Sequence, residues 1–229
     1  MADKRTFVLG DIHGGYKALI QCLERSGFDK ENDTLIQLGD VADGWNQTSE
    51  CVDELLTIPN LIQIQGNHDY WVYEWFAFRL KQSIWTSQGG MATIESYDRS
   101  EKHGNEQHMK FWAEMKPYYI DSKNRLFVHG GYGKDGLKAT ALKDLWWDRT
   151  LWDVALSGHN SQKLPKRLRA FETIFIGHTS IGRHYGGKPK KASNVWNLDT
   201  GGGYEGYLTI MDVDTKEYWQ SDKVSELYE

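Results

Sequence analysis

Five short apolar segments of this chain each end in a turn that contains glycine and a polar residue. The turns are GDIHG at 10–14, GDVAD at 39–43, GNHD at 66–69, VHGG at 128–131 and GHT at 177–179. Short apolar runs that stop at glycine are typical of buried β-strands. In α/β proteins, ligands bind beyond the carboxyl ends of the strands, so we expect the five turns to meet at one edge of the fold.

The N-terminal part of the chain alternates predicted strands and helices. Strand-like runs begin at Thr6, Thr34 and Leu61, and apolar residues with helical spacing lie between them, as at 16–23 ahead of a stop at Gly27. This order of strand, helix and strand is typical of an α/β fold with a parallel sheet. The sequence therefore predicts that fold class.

Further apolar segments lie at 125–131, 173–179, 194–202 and 207–214. The last two, with EYWQS after them, are predicted to be consecutive antiparallel strands. Residues 70–120 are rich in aromatic side chains and predict helices that pack on the sheet, with a turn at Gly89 and Gly90. Because the chain has only four prolines and neither a repeat nor a low-complexity linker, we expect one domain, residues 1–229.

Composition and charge exclude several classes of protein. The 229 residues include 27 basic and 32 acidic side chains, a net charge of −5, so no global positive field attracts nucleic acid or an anionic membrane. Mean hydropathy is −0.64, and no apolar run approaches the roughly 18 residues that cross a bilayer. The first apolar run is too short for a secretory leader, and Cys22 and Cys51 lie in helical patterns that predict reduced core thiols. We therefore expect a cytoplasmic protein with no membrane partner.

The polar residues of the five turns have the chemistry of a metal site. They are Asp11, His13, Asp40, Asp43, Asn67, His68, His129 and His178. Imidazole, carboxylate and amide groups form a mixed nitrogen and oxygen donor set that suits Mn, Fe or Zn, unlike a thiolate zinc site or an all-oxygen calcium site. A lone Gly-Asp turn or histidine is usually structural, but five such turns in the same context predict metal binding.

The order of these turns closely resembles that of the phosphoprotein phosphatase family of calcineurin-like metallophosphoesterases. That family has GDxHG, GDxxDRG, GNH(E/D), HGG and a later GH, and this chain has GDIHG, GDVADGW, GNHD, HGG and GH in the same order. The tail DTGGGYEGYLTIMDVDT also resembles bacterial and phage members. The resemblance implies an α/β sandwich of two mixed β-sheets flanked by helices.

The resemblance also implies roles for the matched residues. Asp11 and His13 would hold a first metal ion, and Asp40 would bridge it to a second. The other ligands of the second ion would be Asn67, His129 and His178. The implied cofactor is two divalent ions, with Mn as the first choice and Fe or Zn as alternatives.

The reaction implied by the family is direct attack of metal-bound hydroxide on a phosphomonoester, without a phosphoenzyme. His68 would protonate the leaving oxygen as general acid, and Asp43 would orient its imidazole. LWWDRT at 145–150 resembles the bacterial LWxR segment, which makes Arg149 the candidate for a bidentate grip on the phosphate. The alternative for Arg149 is an ion pair with a neighbouring aspartate.

The chain departs from the family at its other phosphate-binding arginine. Gly44, followed by Trp45, stands where GDxxDRG has arginine. Loss of one guanidinium is expected to weaken phosphate binding by about 1–3 kcal/mol without abolishing activity. Trp45 is expected to shape the mouth of the site, to stack on an aromatic or nucleobase group, or simply to pack.

The predicted enzyme is a monomeric phosphatase for phosphoserine or phosphothreonine, with phosphotyrosine or a small phosphoester as further substrates. One alternative keeps the metal site but takes a nucleotide or nucleic-acid end, as in the related symmetrical diadenosine tetraphosphatases. A non-catalytic binding protein on the same scaffold is disfavoured by the complete ligand set. Among the other histidines, His103, His108 and His159 are predicted to be solvated, and His184 is a candidate for substrate contact.

Overall fold

The computed structural model describes residues 4–161, 163–182 and 185–229. The strands in these ranges are β1 (Thr6–Leu9), β2 (Thr34–Gln37), β3 (Leu61–Gln63), β4 (Tyr118–Ile120), β5 (Arg125–Val128), β6 (Thr173–Ile176), β7 (Lys190–Ala192), β8 (Val195–Asn197), β9 (Thr209–Asp212) and β10 (Tyr218–Gln220). They form two five-stranded sheets, in the orders β10-β9-β1-β2-β3 and β4-β5-β6-β8-β7. Each sheet has parallel strands at its centre and antiparallel strands at an edge, so both are mixed, as predicted.

The α-helices in the same ranges are α1 (Tyr16–Arg25), α2 (Thr48–Leu56), α3 (Asn67–Phe78), α4 (Ser83–Trp85), α5 (Met91–Ser100), α6 (Glu106–Ala113), α7 (Leu142–Trp147), α8 (Thr150–Gly158) and α9 (Val224–Leu227). A π-helical turn, Thr86–Gly90, joins α4 to α5, and short 3₁₀ turns lie at Leu137–Ala139 and Lys166–Leu168. Helix α1 buries the apolar face that its spacing predicts and ends before Gly27, whose φ of +60° suits glycine. None of the described helices is long and apolar enough to span a membrane.

The prediction for the C-terminal strands is correct only in part. Strands β9 and β10 pair antiparallel, with Trp219 opposite Ile210. Strand β8 instead belongs to the other sheet, where it pairs parallel with β6, and the chain crosses between the sheets before β9. Alternating apolar residues show that a segment is a strand, but they do not determine which sheet it joins.

The two sheets pack face to face through a layer of apolar side chains. Val8, Ile36 and Met211 from the first sheet meet Phe127 and Phe175 from the second, and the two phenylalanine rings stack with centroids 4.9 Å apart. Helices cover the outer face of each sheet. Cys22 and Cys51 are buried in the helical layer of the first sheet as free thiols, which confirms the prediction from sequence.

Candidate metal centre

Hydrogen bonds tie together the turns that follow the central strands of both sheets. Within the first sheet, the Ile12 and His13 amides donate to the Asp40 carbonyl at 3.0 and 2.9 Å. Between the sheets, the His178 amide donates to Asp11 Oδ2 at 2.9 Å. His129 Nδ1 also lies 2.8 Å from the Leu38 carbonyl. The carboxyl ends of strands from both sheets therefore contribute to one site.

Two clusters of ligand-type side chains lie at this edge, and Asp40 belongs to both. One cluster is His13, Asp40 and His68, the other is Asp40, His129 and His178, and in each the ligand atoms lie within 4.8 Å of one another. Asp40 Oδ2 is 3.2 Å from His129 Nε2 and 3.8 Å from His13 Nε2. A carboxylate shared in this way is arranged as a bridge between two cations would be.

Asn67 and Asp11 adjoin these clusters. Asn67 Oδ1 is 3.3 Å from His129 Nε2. Asp11 Oδ1 and His178 Nε2 are buried and have no hydrogen-bond partner among the residues that the structure describes. A buried polar atom without a partner is costly unless it binds something. These unpaired atoms, with the mixed donor set, fit metal ions.

The imidazoles of His13 and His129 have their orientation fixed by backbone carbonyls. Nδ1 of His13 is 3.1 Å from the Ala42 carbonyl, and Nδ1 of His129 faces the Leu38 carbonyl. A carbonyl only accepts, so Nδ1 carries hydrogen, and Nε2 is the nitrogen whose lone pair is available once the ring is neutral. Such partners orient histidines that ligate metals.

The centre concentrates buried charge. Burial alone would raise the pKa of Asp40, but the imidazoles of His129, His68 and His13 outweigh it and hold that pKa well below its ordinary value. Burial likewise opposes the proton of His129, yet the Asp40 carboxylate raises the pKa of this histidine to about 10. Burial and the charge of His129 lower the pKa of His178 to about 2, so its ring is neutral.

His68 and Asp43 form a hydrogen-bonded pair beside the clusters. His68 Nδ1 lies 2.6 Å from Asp43 Oδ2, and the His68 side chain is 13% exposed. Burial would lower the pKa of His68, but Asp40 and Asp43 outweigh it and raise this pKa. The His68 amide also donates to Asp40 Oδ1 at 3.1 Å, which links the pair to the shared carboxylate.

Asp43 itself is fully buried and has two further side-chain partners. Trp85 Nε1 lies 2.9 and 3.0 Å from its two carboxylate oxygens, and the Thr93 hydroxyl donates to Oδ1 at 2.7 Å. Burial raises the pKa of Asp43. The hydrogen bonds from His68, Thr93 and Trp85 oppose this rise. Sequence reasoning missed Trp85 and Thr93, because nothing local marks an indole and a hydroxyl some 40 to 50 positions away.

Asp69 is a third residue that sequence reasoning did not assign. Its carboxylate accepts from the amides of Asp40, Val41 and Gly66 at 2.7 to 2.8 Å, and from that of Ala42 at 3.4 Å. Burial and the charge of Asp40 raise its pKa to about 6. The available signal was an acidic residue in the GNHD turn, which the structure places at the third position of α3.

The backbone of the centre is unusual at four of the predicted site residues. His13, Asp40, Asp43 and His178 have φ of 50°, 54°, 72° and 61°, a region that side chains other than glycine rarely adopt. Strained backbone of this kind is concentrated at functional sites.

Two glycines permit the close packing of the Asp40 and Asp11 carboxylates. A Cβ on Gly66 would lie 2.1 Å from Asp40 Oδ1, and one on Gly177 would lie 2.0 Å from Asp11 Oδ1. No other residue would fit at either position without displacing a carboxylate. These contacts account for the glycine in the GNHD and GHT turns.

Arg149 lies at the rim of the centre. Its Nη1 donates to the His178 carbonyl at 2.9 Å, and the neighbouring Asp148 forms its ion pair with Arg167. Trp45 packs: its ring stacks on Tyr228 with centroids 4.9 Å apart, and its Nε1 donates to the Gly202 carbonyl.

The histidines outside the turns give mixed outcomes. The prediction that His108 is solvated is wrong, because it is buried and bonded to Tyr97 and Asp53. Helix α6 turns this residue inward, which the polar segment around it did not reveal. His184 lies outside the described residues.

Comparison with known proteins finds similarity to phosphoesterases in sequence and in structure. Residues 4–188 match the calcineurin-like phosphoesterase family. Serine/threonine-protein phosphatase 2 of Salmonella typhimurium is 25% identical, with 92% of this chain and 93% of that protein covered. The symmetrical bis(5'-nucleosyl)-tetraphosphatase of Neisseria gonorrhoeae is 22% identical, with 93% and 94% covered. The crystal structure of a metallophosphoesterase from Sphaerobacter thermophilus has a TM-score of 0.58 at 14% identity, covering 96% of this chain and 89% of that one, and it confirms the fold class.

Proposed function

The chain belongs to the calcineurin-like phosphoesterase family, a family of hydrolases, and from that premise we propose that it hydrolyses phosphomonoesters with two metal ions and His68 as general acid. The observation that carries this proposal is the shared Asp40 carboxylate, which lies in two ligand clusters and accepts from the His68 amide. This arrangement supports the proposal because it brings the proposed bridging ligand next to the proposed proton donor.

The proposed ligands of the first ion are Asp11, His13 and Asp40, and those of the second are Asp40, Asn67, His129 and His178. The unpaired Asp11 Oδ1 and His178 Nε2 support this assignment. When bound, two divalent cations supply Lewis-acid polarisation of the phosphoryl group and acidify an attacking water molecule. Mn is our first choice of metal, and the mixed donor set also accepts Fe and Zn.

The chain itself supplies the leaving-group proton and an anchor for the phosphate. Asp43 holds Nδ1 of His68, so Nε2 is the nitrogen that can protonate the leaving oxygen. Asp43 also stabilises the positive charge that His68 carries before transfer. Arg149 is fixed at the His178 carbonyl through one nitrogen, and its remaining N–H groups are the proposed phosphate contacts.

Activity measurements on matched variants test the proposal. Hydrolysis of p-nitrophenyl phosphate should require Mn²⁺, disappear in Asp40→Asn and fall about 100-fold or more in His68→Asn, the usual contribution of a general acid. His159→Asn changes an exposed histidine away from the turns and is the control. A wild-type protein that binds Mn²⁺ yet hydrolyses no phosphoester would overturn the proposal and favour a binding protein on this scaffold.

Two substrate classes are supported by similar relatives: phosphoserine and phosphothreonine in proteins, and nucleotides such as diadenosine tetraphosphate. A panel of phosphopeptides, diadenosine polyphosphates and phosphorylated RNA ends, compared by kcat/KM, decides between them. The proposal includes a cytoplasmic, monomeric enzyme. Sedimentation of the metal-loaded protein tests the monomer, and cell fractionation tests the location.

A further inference from the structure

Two tryptophans connect the general acid to a metal ligand at the rim of the site. Trp71 on α3 meets the ring of His68 edge to face, with centroids 5.1 Å apart. Trp147, at the end of α7, meets Trp71 at 5.7 Å and His178 at 5.6 Å. We call Trp71 and Trp147 the indole wall.

The two members of the indole wall differ in exposure. Trp71 is 8% exposed, whereas Trp147 is 42% exposed although aromatic neighbours hold it on two sides. Trp146, the residue before it, is buried and stacks on Tyr70. The last turn of α7 is thus anchored, and it presents one indole to solvent beside the site. A rigid, partly exposed indole is well suited to contact a flat ligand group.

The position of the leaving group follows from the proposed function. The leaving oxygen must lie within hydrogen-bond reach of His68 Nε2, since Nδ1 is bound to Asp43. Substituents on that oxygen therefore extend from His68, next to which Trp71 lies. We propose that the indole wall binds the leaving group and favours phosphoesters whose leaving group carries a flat aromatic ring, either an aryl ring or a nucleobase.

This proposal rests on the proposed function, and its test compares leaving groups of similar acidity. For the Mn²⁺-loaded enzyme, Trp147→Ala should lower kcat/KM for phenyl phosphate about three- to tenfold, the usual worth of an aromatic pair. Hydrolysis of an alkyl phosphate whose fluorinated alcohol matches phenol in acidity should change less than about twofold. Trp147→Phe should retain most of the activity on phenyl phosphate.

Diadenosine tetraphosphate forms a second arm of the test and distinguishes a nucleobase from an aryl ring. Leu142→Ala, at the exposed start of α7, controls for weakening of the helix. The proposal is supported if Trp147→Ala lowers kcat/KM for phenyl phosphate or for diadenosine tetraphosphate more than it lowers kcat/KM for the alkyl phosphate.

Two results would overturn the proposal. One is equal loss on the ring-bearing and alkyl substrates. The other is that Tyr204→Ala, rather than Trp147→Ala, shows the loss confined to the ring-bearing substrates. Tyr204→Ala removes the 63% exposed ring beside His13. In either case a wild type active on phosphomonoesters leaves the proposed function standing, whereas an inactive metal-loaded wild type would refute the function itself.

A separate observation concerns Asp43, the partner of the general acid. Trp85 and Thr93 both donate to its carboxylate, and all three side chains are fully buried. The Thr93 hydroxyl also accepts from the Asp43 amide at 2.9 Å, which holds the residue at its left-handed φ of 72°. We infer that Trp85 and Thr93 are positioning residues that fix Asp43 against His68.

Leaving-group dependence tests this second inference, because proton donation by a general acid speeds the departure of a poor leaving group much more than that of a good one. Trp85→Phe should lower hydrolysis of phenyl phosphate about tenfold and that of 2,4-dinitrophenyl phosphate, which needs little protonation, less than about twofold. Trp112→Phe is the matched control, since Trp112 is equally buried but donates to Tyr97. Equal losses on the two aryl phosphates, or the same pattern in the control, would refute the inference.

Discussion

Replacement of Asp69 by alanine should loosen the turn that carries Asp40. The Asp69 carboxylate accepts three backbone N–H groups at 2.7 to 2.8 Å and a fourth at 3.4 Å, all in the turns after β2 and β3. Asp69 is fully buried, so the freed donors have little access to water. The change therefore removes an acceptor without supplying another.

The magnitude follows from the number of donors. At about 1 kcal/mol or more for each buried, unsatisfied N–H, loss of the three short bonds predicts a fall of about 3–4 kcal/mol in the free energy of unfolding. For a chain of this length, that is a fall of roughly 10 °C in Tm. Residues that orient metal ligands typically change affinity by about 10- to 100-fold when mutated, so Mn²⁺ should also bind that much more weakly.

Urea unfolding of the metal-free protein and calorimetric titration with Mn²⁺ measure the two effects. At pH 8 Asp69 is ionised, because its pKa is about 6. The control is Asp212→Ala, which removes a buried carboxylate that accepts two amides in the turn after β9. This control should cost about 2 kcal/mol and leave Mn²⁺ affinity unchanged.

The reasoning is refuted if Asp69→Ala binds Mn²⁺ as tightly as Asp212→Ala does. A stability loss below about 1 kcal/mol would also refute it, since the buried donors would then have found other partners.

Three further predictions concern the same centre. In the metal-free protein His129 has a pKa of about 10 against about 6.5 when unfolded, so its stabilising proton is fully present below pH 6.5 and lost as pH rises to 10. As pH rises through that window, loss of the His129 proton should lower the free energy of unfolding by up to about 1.4 kcal/mol per pH unit. Urea unfolding curves that do not change between pH 7 and 9 would contradict this. Mn²⁺ binding at pH 7.5 should release about one proton from His129, measured by calorimetry in two buffers of different ionisation enthalpy. Gly44 has a φ of +89°, so Gly44→Ala should cost about 1–2 kcal/mol in urea unfolding. Gly44→Arg should lower the free energy of unfolding by the same amount, but it should also lower KM for phosphomonoesters. An unchanged KM would show that the missing arginine does not limit binding.

The strand-end turns were predictable because each is a local pattern. Glycine with an acid, amide or imidazole after a short apolar run specifies both the strand and the polar residues beyond it. Parallel strands place such turns at one edge, which is why Asp40, His129 and His178 could be grouped before any contact was known. The two-sheet sandwich came from the family resemblance rather than from periodicity.

The sequence by itself therefore determined the chemical types in the centre, while the tertiary structure decided how they are held. Asp69 beneath the Asp40 turn, Trp85 and Thr93 around Asp43, and the burial of His108 all depend on contacts between distant segments. Alternation did not assign β8 to its sheet for the same reason. Periodicity reports which face of an element is apolar, but the packing of elements against one another fixes the partners of each buried polar group.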